Sequence, residues 1–128
     1  MLVTGAASGM GKLYAIRAVS EGAAAVVLWD VNAAALAAVE AELTANARGT
    51  VVRSYPVDLA DMGAIAKTAQ RVRKDGLEPD ILINNAGIVR GNEYFWNTDP
   101  GADVRPTILV NTLAPMLIAR EFLPAMVA

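Results

Sequence analysis

Four short apolar runs in the chain are separated by longer segments in which apolar residues recur every three or four positions. Continuous apolar runs are typical of strands buried on both faces, whereas the longer period is typical of helices that pack one face. The runs predict strands at Met1–Thr4, Ala24–Trp29, Thr50–Val57 and Asp80–Ile83. The periodic segments predict helices at Lys12–Glu21, Asn32–Ala47 and Asp61–Asp75, and a last helix from about Thr107 onward.

Individual residues mark the ends and faces of these helices. Gly22 follows the first helix, as expected for a residue that ends one. In that helix we expect Leu13 and Ile16 to face inward, together with Ala15 and Val19. Asp61 is expected to cap the third helix, because its carboxylate can accept a free N–H at the helix start. Pro115 should kink or divide the last helix, since it lacks an N–H and its ring crowds the preceding turn.

The alternation of strands and helices predicts an α/β fold built from right-handed βαβ units around a parallel sheet. We expect a Rossmann-type doubly wound sheet, of which this chain supplies the first half with strand order 3-2-1-4. In that order the apolar segment Asp80–Ile83 would lie at an exposed edge, where unpaired strands invite further pairing. We therefore expect residues 1–128 to be the N-terminal dinucleotide-binding half of a single domain that is truncated before its fifth strand.

Composition excludes several kinds of active site. The chain has 11 Lys and Arg against 13 Asp and Glu, with no cysteine and no histidine. Zinc sites, disulfides and nucleophiles activated by histidine are therefore excluded, and we expect no metal site. The acidic balance argues against a nucleic-acid partner, because phosphate binding needs a basic surface.

Neither a membrane span nor a signal peptide is expected. The most apolar stretch, residues 106–119, is interrupted by Asn111, Thr112 and Pro115, and falls short of the roughly 18 residues that a span needs. No basic segment or cleavage site follows Met1. We expect a cytoplasmic protein.

A glycine-rich loop connects the first strand to the first helix. Its first glycine, Gly5, permits a tight turn, Gly9 lets backbone N–H groups approach a pyrophosphate, and Gly11 lets the helix pack close to the sheet. The helix would then direct its free N–H groups and its dipole at the phosphates. A P-loop is excluded, because Ala6 stands where that motif needs glycine and Leu13 stands where it needs a hydroxyl.

An acidic residue ends the second strand. Asp30 lies 19 residues after Gly11, where a carboxylate can accept both ribose hydroxyls of an adenosine. It would repel a 2′-phosphate, and neither Ser8 nor Val31 is basic, so we expect NAD rather than NADP. Two alternatives stay open at this point: Asp30 as a cap for the helix that starts at Asn32, and a methyltransferase that binds S-adenosylmethionine.

Two motifs together resemble a known family. Thr4-Gly5-x3-Gly9-x-Gly11 and Asn84-Asn85-Ala86-Gly87 are similar to segments of the classical short-chain dehydrogenase/reductase family. The similarity extends to Asp58-Leu59 and Val110-Asn111, and it spans essentially the whole chain. A methyltransferase does not predict the Asn-Asn-Ala-Gly segment. The runs Leu28–Asn32 and Phe122–Met126 resemble members that act on retinoids and steroids.

The resemblance implies an oxidoreductase that transfers a hydride between a nicotinamide cofactor and a secondary alcohol or ketone. It implies a small-molecule substrate and, for the complete protein, a homodimer or homotetramer. The residues implied to bind NAD are Gly5, Ser8, Gly9, Met10, Gly11, Asp30, Asp58, Leu59, Asn85, Ala86 and Gly87. Asn111 is implied as a catalytic residue, since in the family the backbone carbonyl at this position holds a water that places a lysine and relays protons.

This chain departs from the family in its catalytic residues. The family uses a serine, a tyrosine and a lysine, and the lysine follows the tyrosine by four residues. The tyrosines here are Tyr14, Tyr55 and Tyr94, and none has a lysine at that distance. We therefore expect the catalytic half to be absent from these residues and the chain alone to be inactive. An alternative is a nucleotide-binding fragment or half-domain without catalysis, with the fourth strand and last helix as its interface. The segment Tyr94–Trp96 is expected either to border the substrate or to pack under the last helix.

Overall fold

The computed structural model describes residues 1–128, which form a parallel sheet of four strands with helices on both faces. The strands are β1 (Leu2–Thr4), β2 (Ala25–Asp30), β3 (Val51–Pro56) and β4 (Leu82–Ile83). The first three helices are α1 (Gly9–Ser20), α2 (Ala33–Asn46) and α3 (Met62–Lys74). A short 3₁₀ turn, Phe95–Asn97, precedes a continuous last helix, Pro100–Met126.

The strand order is β3-β2-β1-β4 with every pair parallel, so the predicted order 3-2-1-4 is confirmed. In the centre of the sheet, Leu2 pairs with Val27 on one side and with Leu82 on the other. The edge strand β4 has only two residues, fewer than predicted, and Ile81 before it is 54% exposed although its carbonyl accepts the Leu2 N–H at 2.8 Å. The apolar edge expected from the sequence is therefore present.

Successive strand residues point to opposite faces of the sheet and create two cores. The first core lies between the sheet, α3 and the last helix, and it includes Leu2, Val27, Trp29, Tyr55, Ile65, Ala69, Val72, Ile118 and Phe122. The second lies between the sheet, α1 and α2, and it includes Val3, Val26, Leu28, Val52, Ala15, Val19, Leu36, Val39 and Leu43. The two cores therefore cover both faces of the sheet.

Helix α1 begins at Gly9, three residues before the predicted start at Lys12. Its buried face is formed by Gly11, Ala15 and Val19 at intervals of four residues. Leu13 lies about 200° around the helix from Gly11. It is 63% exposed, so the prediction that it faces inward was wrong.

The last helix begins at Pro100, whereas the sequence predicted a start near Thr107. The Asp99 side chain caps this end by accepting the N–H groups of Gly101 and Ala102 at 2.8 and 2.6 Å. Pro115 does not divide the helix. A π-helical turn, Leu109–Leu113, widens it just before the proline, where an N–H to the carbonyl four residues back is missing.

By length and composition alone, Pro100–Met126 could cross a membrane, which differs from the expectation that no segment of the chain could. The same helix buries Val110, Ala114, Ile118 and Phe122 at four-residue spacing against the first core. Helices in the core of a globular domain pass the same test, so composition by itself does not assign this helix to a membrane.

An aromatic pair lies at the centre of the first core. The rings of Trp29 and Phe122 are fully buried and meet edge to face, with centroids 6.0 Å apart and an interplanar angle of 63°. The indole Nε1–H of Trp29 has no hydrogen-bond partner. The pair therefore stabilises the fold through packing. Burying the indole N–H without a hydrogen-bond partner lowers that stability, because the group loses its bond to water.

The turn after β1 and the first turn of α1 are in very close contact. A Cβ on Gly11 would overlap the carbonyl oxygen of Gly5 and would also lie 2.7 Å from Nδ2 of Asn85. No side chain fits there, so this glycine fixes how closely α1 approaches the sheet.

We expect Phe122→Ala to lower the free energy of unfolding by about 3–5 kcal/mol, because it leaves a cavity in the first core. Trp29→Phe should cost less than about 1.5 kcal/mol, since it also removes the unpaired N–H. Urea unfolding followed by circular dichroism measures both values. Phe95→Ala is the matched control, because Phe95 is 76% exposed and its loss should change stability by less than about 0.5 kcal/mol. Equal costs at positions 122 and 95 would contradict this description of the core.

We expect Gly11→Ala to destabilise the chain by about 1–3 kcal/mol, because the loop and α1 must move apart to admit a methyl group. Gly63→Ala in α3 is the control, since a Cβ there lies 3.3 Å from Oδ1 of Asp61. It should change stability by less than about 1 kcal/mol. Thermal unfolding compares the two variants, and a neutral Gly11→Ala would disprove the close contact.

Candidate functional site

A cavity of about 600 Å³ opens at the carboxyl ends of the strands. It lies where the chain order of the sheet reverses, between β1 and β4, which is the usual place for a ligand in an open α/β sheet. Ten of the eleven predicted cofactor residues line it: Gly5, Ser8, Gly9, Met10, Asp30, Asp58, Leu59, Asn85, Ala86 and Gly87. Gly11 is buried behind the loop, where it packs on Gly5. The sheet thus brings together residues that are far apart in sequence.

The N-terminus of α1 is open toward this cavity. Ser8 is its first flanking residue, but no side chain caps it and its first turn contains no acid. By contrast, Asn32 caps α2 by accepting the Ala35 N–H, and Asp61 caps α3 as predicted by accepting the Ala64 N–H, each at 3.0 Å. The uncapped N–H groups and the positive end of the helix dipole favour an anion at α1.

The Asp30 carboxylate organises the loop beside the open helix end. Its Oδ2 accepts the N–H of Ala7 at 3.0 Å and its Oδ1 accepts the N–H of Asn32 at 2.9 Å. Asp30 does not cap α2, since Asn32 itself does. An ionised carboxylate has about four acceptor positions, so two backbone bonds leave capacity for hydroxyl donors in the cavity.

Asp58 and Leu59 lie on the turn after β3. Oδ1 of Asp58 accepts the N–H of Ala60 at 2.9 Å, which fixes the carboxylate beside the cavity. The Leu59 side chain is buried in the first core, so only part of this residue is available to a ligand. Asp58 does not cap α3, because Asp61 fills that position.

A buried hydroxyl joins the two sides of the cavity. Oγ1 of Thr4 accepts the N–H groups of Asn85 and Ala86, both at 3.0 Å, and Nδ2 of Asn85 donates to the Thr4 carbonyl at 2.9 Å. Thr4 is 1% exposed and was not among the predicted site residues. The signal available in the sequence was a single hydroxyl in the otherwise apolar first strand.

Asn111 does not line the cavity, although its neighbour Val110 does. Its side chain binds the backbone of Ile88 twice: Oδ1 accepts the Ile88 N–H at 2.8 Å, and Nδ2 donates to the Ile88 carbonyl at 2.7 Å. The amide therefore holds the loop after Gly87 against the last helix. This contact is a positioning role, and the catalytic role of Asn111 stays a prediction.

Other residues complete the walls of the cavity. Sequence reasoning missed Val31, Val57, Ala60, Ile88, Arg90, Pro106 and Val110. The apolar residues of this set belong to no sequence motif, so their place in the cavity wall could be recognised only from the folded structure. The aromatic segment Tyr94–Trp96 was expected to border the substrate or to pack under the helix. Tyr94 and Trp96 are exposed and lie outside the cavity, and their rings stack with centroids 4.7 Å apart. The segment therefore does not pack under the last helix, and its place beside the substrate stays a prediction.

Tyr55 is buried away from the cavity. Burial, reinforced by a hydrogen bond of 2.6 Å from its hydroxyl to Oδ2 of Asp75, raises the pKa of Tyr55 well above its usual range. The guanidinium of Arg71 lies over its ring at 5.3 Å. This tyrosine therefore serves packing and does not exchange protons with a ligand.

Known proteins resemble this chain along its whole length. The family model described as short chain dehydrogenase matches residues 1–128. Epidermal retinol dehydrogenase 2 of Mus musculus is 36% identical over 128 residues, which are 100% of this chain and 40% of that protein.

Solved structures show the same fold. A metagenomic short-chain oxidoreductase in complex with NADP has a TM-score of 0.89 and 36% identity over 98% of this chain and 55% of its own. An NAD⁺-bound xylitol dehydrogenase has a TM-score of 0.87 and 28% identity over 98% of this chain and 47% of its own. The chain thus spans about half or less of the length of these relatives. The match over residues 1–128, together with the sheet order and the loop geometry, establishes that the chain belongs to the short-chain dehydrogenase family.

Proposed function

We propose that this chain is the cofactor-holding half of an NAD-dependent oxidoreductase. The complete enzyme would transfer a hydride between the nicotinamide ring and a secondary alcohol or ketone. The observation that carries the proposal is the cavity in which an uncapped helix N-terminus lies beside a carboxylate at the end of the neighbouring strand.

The residues present fit a dinucleotide. A cavity of about 600 Å³ is within the usual range of 300–1,000 Å³ for small-molecule sites. The open N-terminus of α1 suits the diphosphate, and Asp30 has free acceptor positions for ribose hydroxyls. Asp58 and the backbone of Leu59 are available for the adenine at the β3 side of the cavity.

The charge near Asp30 supports NAD over NADP. A 2′-phosphate on the adenosine ribose would approach this carboxylate, and like charges repel. Neither Ser8 nor Val31 offers a cation, and the one basic residue lining the cavity, Arg90, is on the loop after β4. Family membership does not decide this point, since one of the similar structures holds NADP and another holds NAD⁺.

In this proposal the bound nicotinamide supplies the carbon that gives or accepts the hydride. The chain's own residues bind the cofactor and hold its loops in place. The Asn111 amide is committed to Ile88, which leaves its backbone carbonyl as the group available for chemistry. Pro115, four residues later, has no N–H to donate to that carbonyl, which supports a role for it in holding a water.

The groups that move the proton would come from outside these residues. Tyr14 and Tyr94 are exposed and outside the cavity, and Tyr55 is buried against Asp75. The second candidate function is nucleotide binding without catalysis, by a half-domain that pairs with another chain. The observation in its favour is the unpaired sheet edge at β4, which could form that interface.

We expect titration calorimetry of the chain to show binding of NAD, binding of NADP at least about tenfold weaker, and no binding of S-adenosylmethionine. A tenfold difference corresponds to about 1.4 kcal/mol of repulsion and lost hydrogen bonding. Asp30→Ala should reduce or reverse the preference for NAD. Glu78→Ala, which removes an exposed acid that has no ion pair, is the matched control and should leave it unchanged. Tighter binding of NADP than of NAD by the unmodified chain would refute the assignment.

We expect the chain alone to bind NADH without catalysing turnover, because it lacks a proton donor in the cavity. The measurement is the change in NADH absorbance, with NADH and ketones for reduction and with NAD and secondary alcohols for oxidation, together with a binding titration of the same sample. Turnover by these residues alone would disprove the division of roles between the two halves.

A further inference from the structure

Arg90 is the only basic residue among those that line the cavity. It is exposed, and it takes part in no ion pair and no side-chain hydrogen bond. Several other cations of the chain are paired with carboxylates: Lys12 with Glu42, Arg17 with Glu21, Arg53 with Glu40 and Arg73 with Glu121. The guanidinium of Arg90 therefore keeps its full capacity to donate hydrogen bonds to a ligand.

The backbone around Arg90 is held in place on both sides. Before it, the amide of Asn111 binds the N–H and the carbonyl of Ile88. After it, Gly91 adopts a φ of 61°, and a Cβ there would lie 2.8 Å from Oδ2 of Asp103. The backbone on both sides of Arg90 is thus held against the last helix, and Arg90 itself lines the cavity.

Asp103, which lies against Gly91, does not neutralise Arg90. Oδ2 of Asp103 accepts the N–H of Asp99 at 3.0 Å, and Asp103 forms no ion pair with Arg90 although it contacts the following residue. The cavity itself contains two acids, Asp30 and Asp58, which lie at the ends of β2 and β3. An anionic ligand would therefore find one full positive charge, at the β4 side.

We propose that Arg90 binds the diphosphate of the dinucleotide, an inference that rests on the proposed function. The N-terminus of α1 would hold the phosphates from the β1 side through backbone N–H groups, and Arg90 would bind them from the β4 side. The planar guanidinium donates two parallel hydrogen bonds to phosphate oxygens, an arrangement that lysine does not reproduce. Because the charge is delivered from the loop after β4, the contact couples that loop to the glycine-rich loop through the ligand.

The test is titration of the 128-residue chain and its variants with NAD, ADP-ribose, NADP and adenosine. Arg90→Ala should weaken binding of NAD and of ADP-ribose about tenfold, a typical effect of losing a charge-assisted bond to phosphate. Binding of adenosine, which has no phosphate, should be unchanged. Arg90→Lys should recover part of the loss, and Arg48→Ala, which removes an exposed arginine outside the cavity, should have no effect. Circular dichroism spectra of all variants confirm that the fold is intact.

Three results would overturn the proposal. Unchanged affinity of Arg90→Ala for NAD and ADP-ribose would show that the guanidinium does not contact the diphosphate. A loss confined to NADP would assign the arginine to a 2′-phosphate instead. An equal loss for adenosine and NAD would indicate a change in cavity shape. If the unmodified chain binds no dinucleotide at all, the proposed function fails and this inference fails with it, whereas failure of the Arg90 variants alone leaves the proposed function standing.

Discussion

The close contact between Gly5 and Gly11 sets the geometry on which the rest of the site depends. Because Gly11 has no side chain, the first turn of α1 lies directly against the Gly5 carbonyl at the end of β1. That approach directs an uncapped helix N-terminus into the cavity, where its free N–H groups have no partner in the protein. The same approach explains why the buried face of α1 consists of Gly11, Ala15 and Val19, since larger side chains would push the helix away. With Gly11 facing the sheet, Leu13 lies on the opposite side of the helix and is exposed.

The second constraint is the link between β1 and the loop after β4. Thr4 binds two backbone N–H groups of that loop from its buried hydroxyl, and Asn85 returns a bond to the Thr4 carbonyl. Asn111 then holds the continuation of the loop at Ile88. A polar residue buried at a strand end is costly unless all its bonds are made, so these contacts fix one loop conformation. These bonds restrict the loops around the cavity, and a restricted loop loses less conformational freedom when a ligand binds.

Two apolar surfaces of the fold have no partner among these residues. Strand β4 pairs on one side only, and the last helix buries one face while apolar residues such as Ile108 and Met116 remain exposed. The relatives are about twice as long or longer, and matching structures cover this chain almost completely while the chain covers about half of them. The exposed apolar edge and helix face agree with the proposal that the second half of the domain is supplied from outside these residues.

The amino-acid pattern by itself predicted the strand order, the fold class, the glycine-rich loop and Asp30, whereas Asp58, Leu59 and the segment 85–87 came from the resemblance to the family. It could do so because parallel strands place their carboxyl ends on one edge, so motifs that follow strands must converge. It placed Leu13 and the start of the last helix wrongly, because helix rotation depends on the contact at Gly11 and helix starts depend on caps such as Asp99. Only the tertiary structure showed that the Asn111 amide is occupied by Ile88, that Thr4 joins two loops, and that Arg90 reaches the cavity unpaired. These features join positions more than twenty residues apart, and such pairings are decided by packing in three dimensions rather than by local propensity.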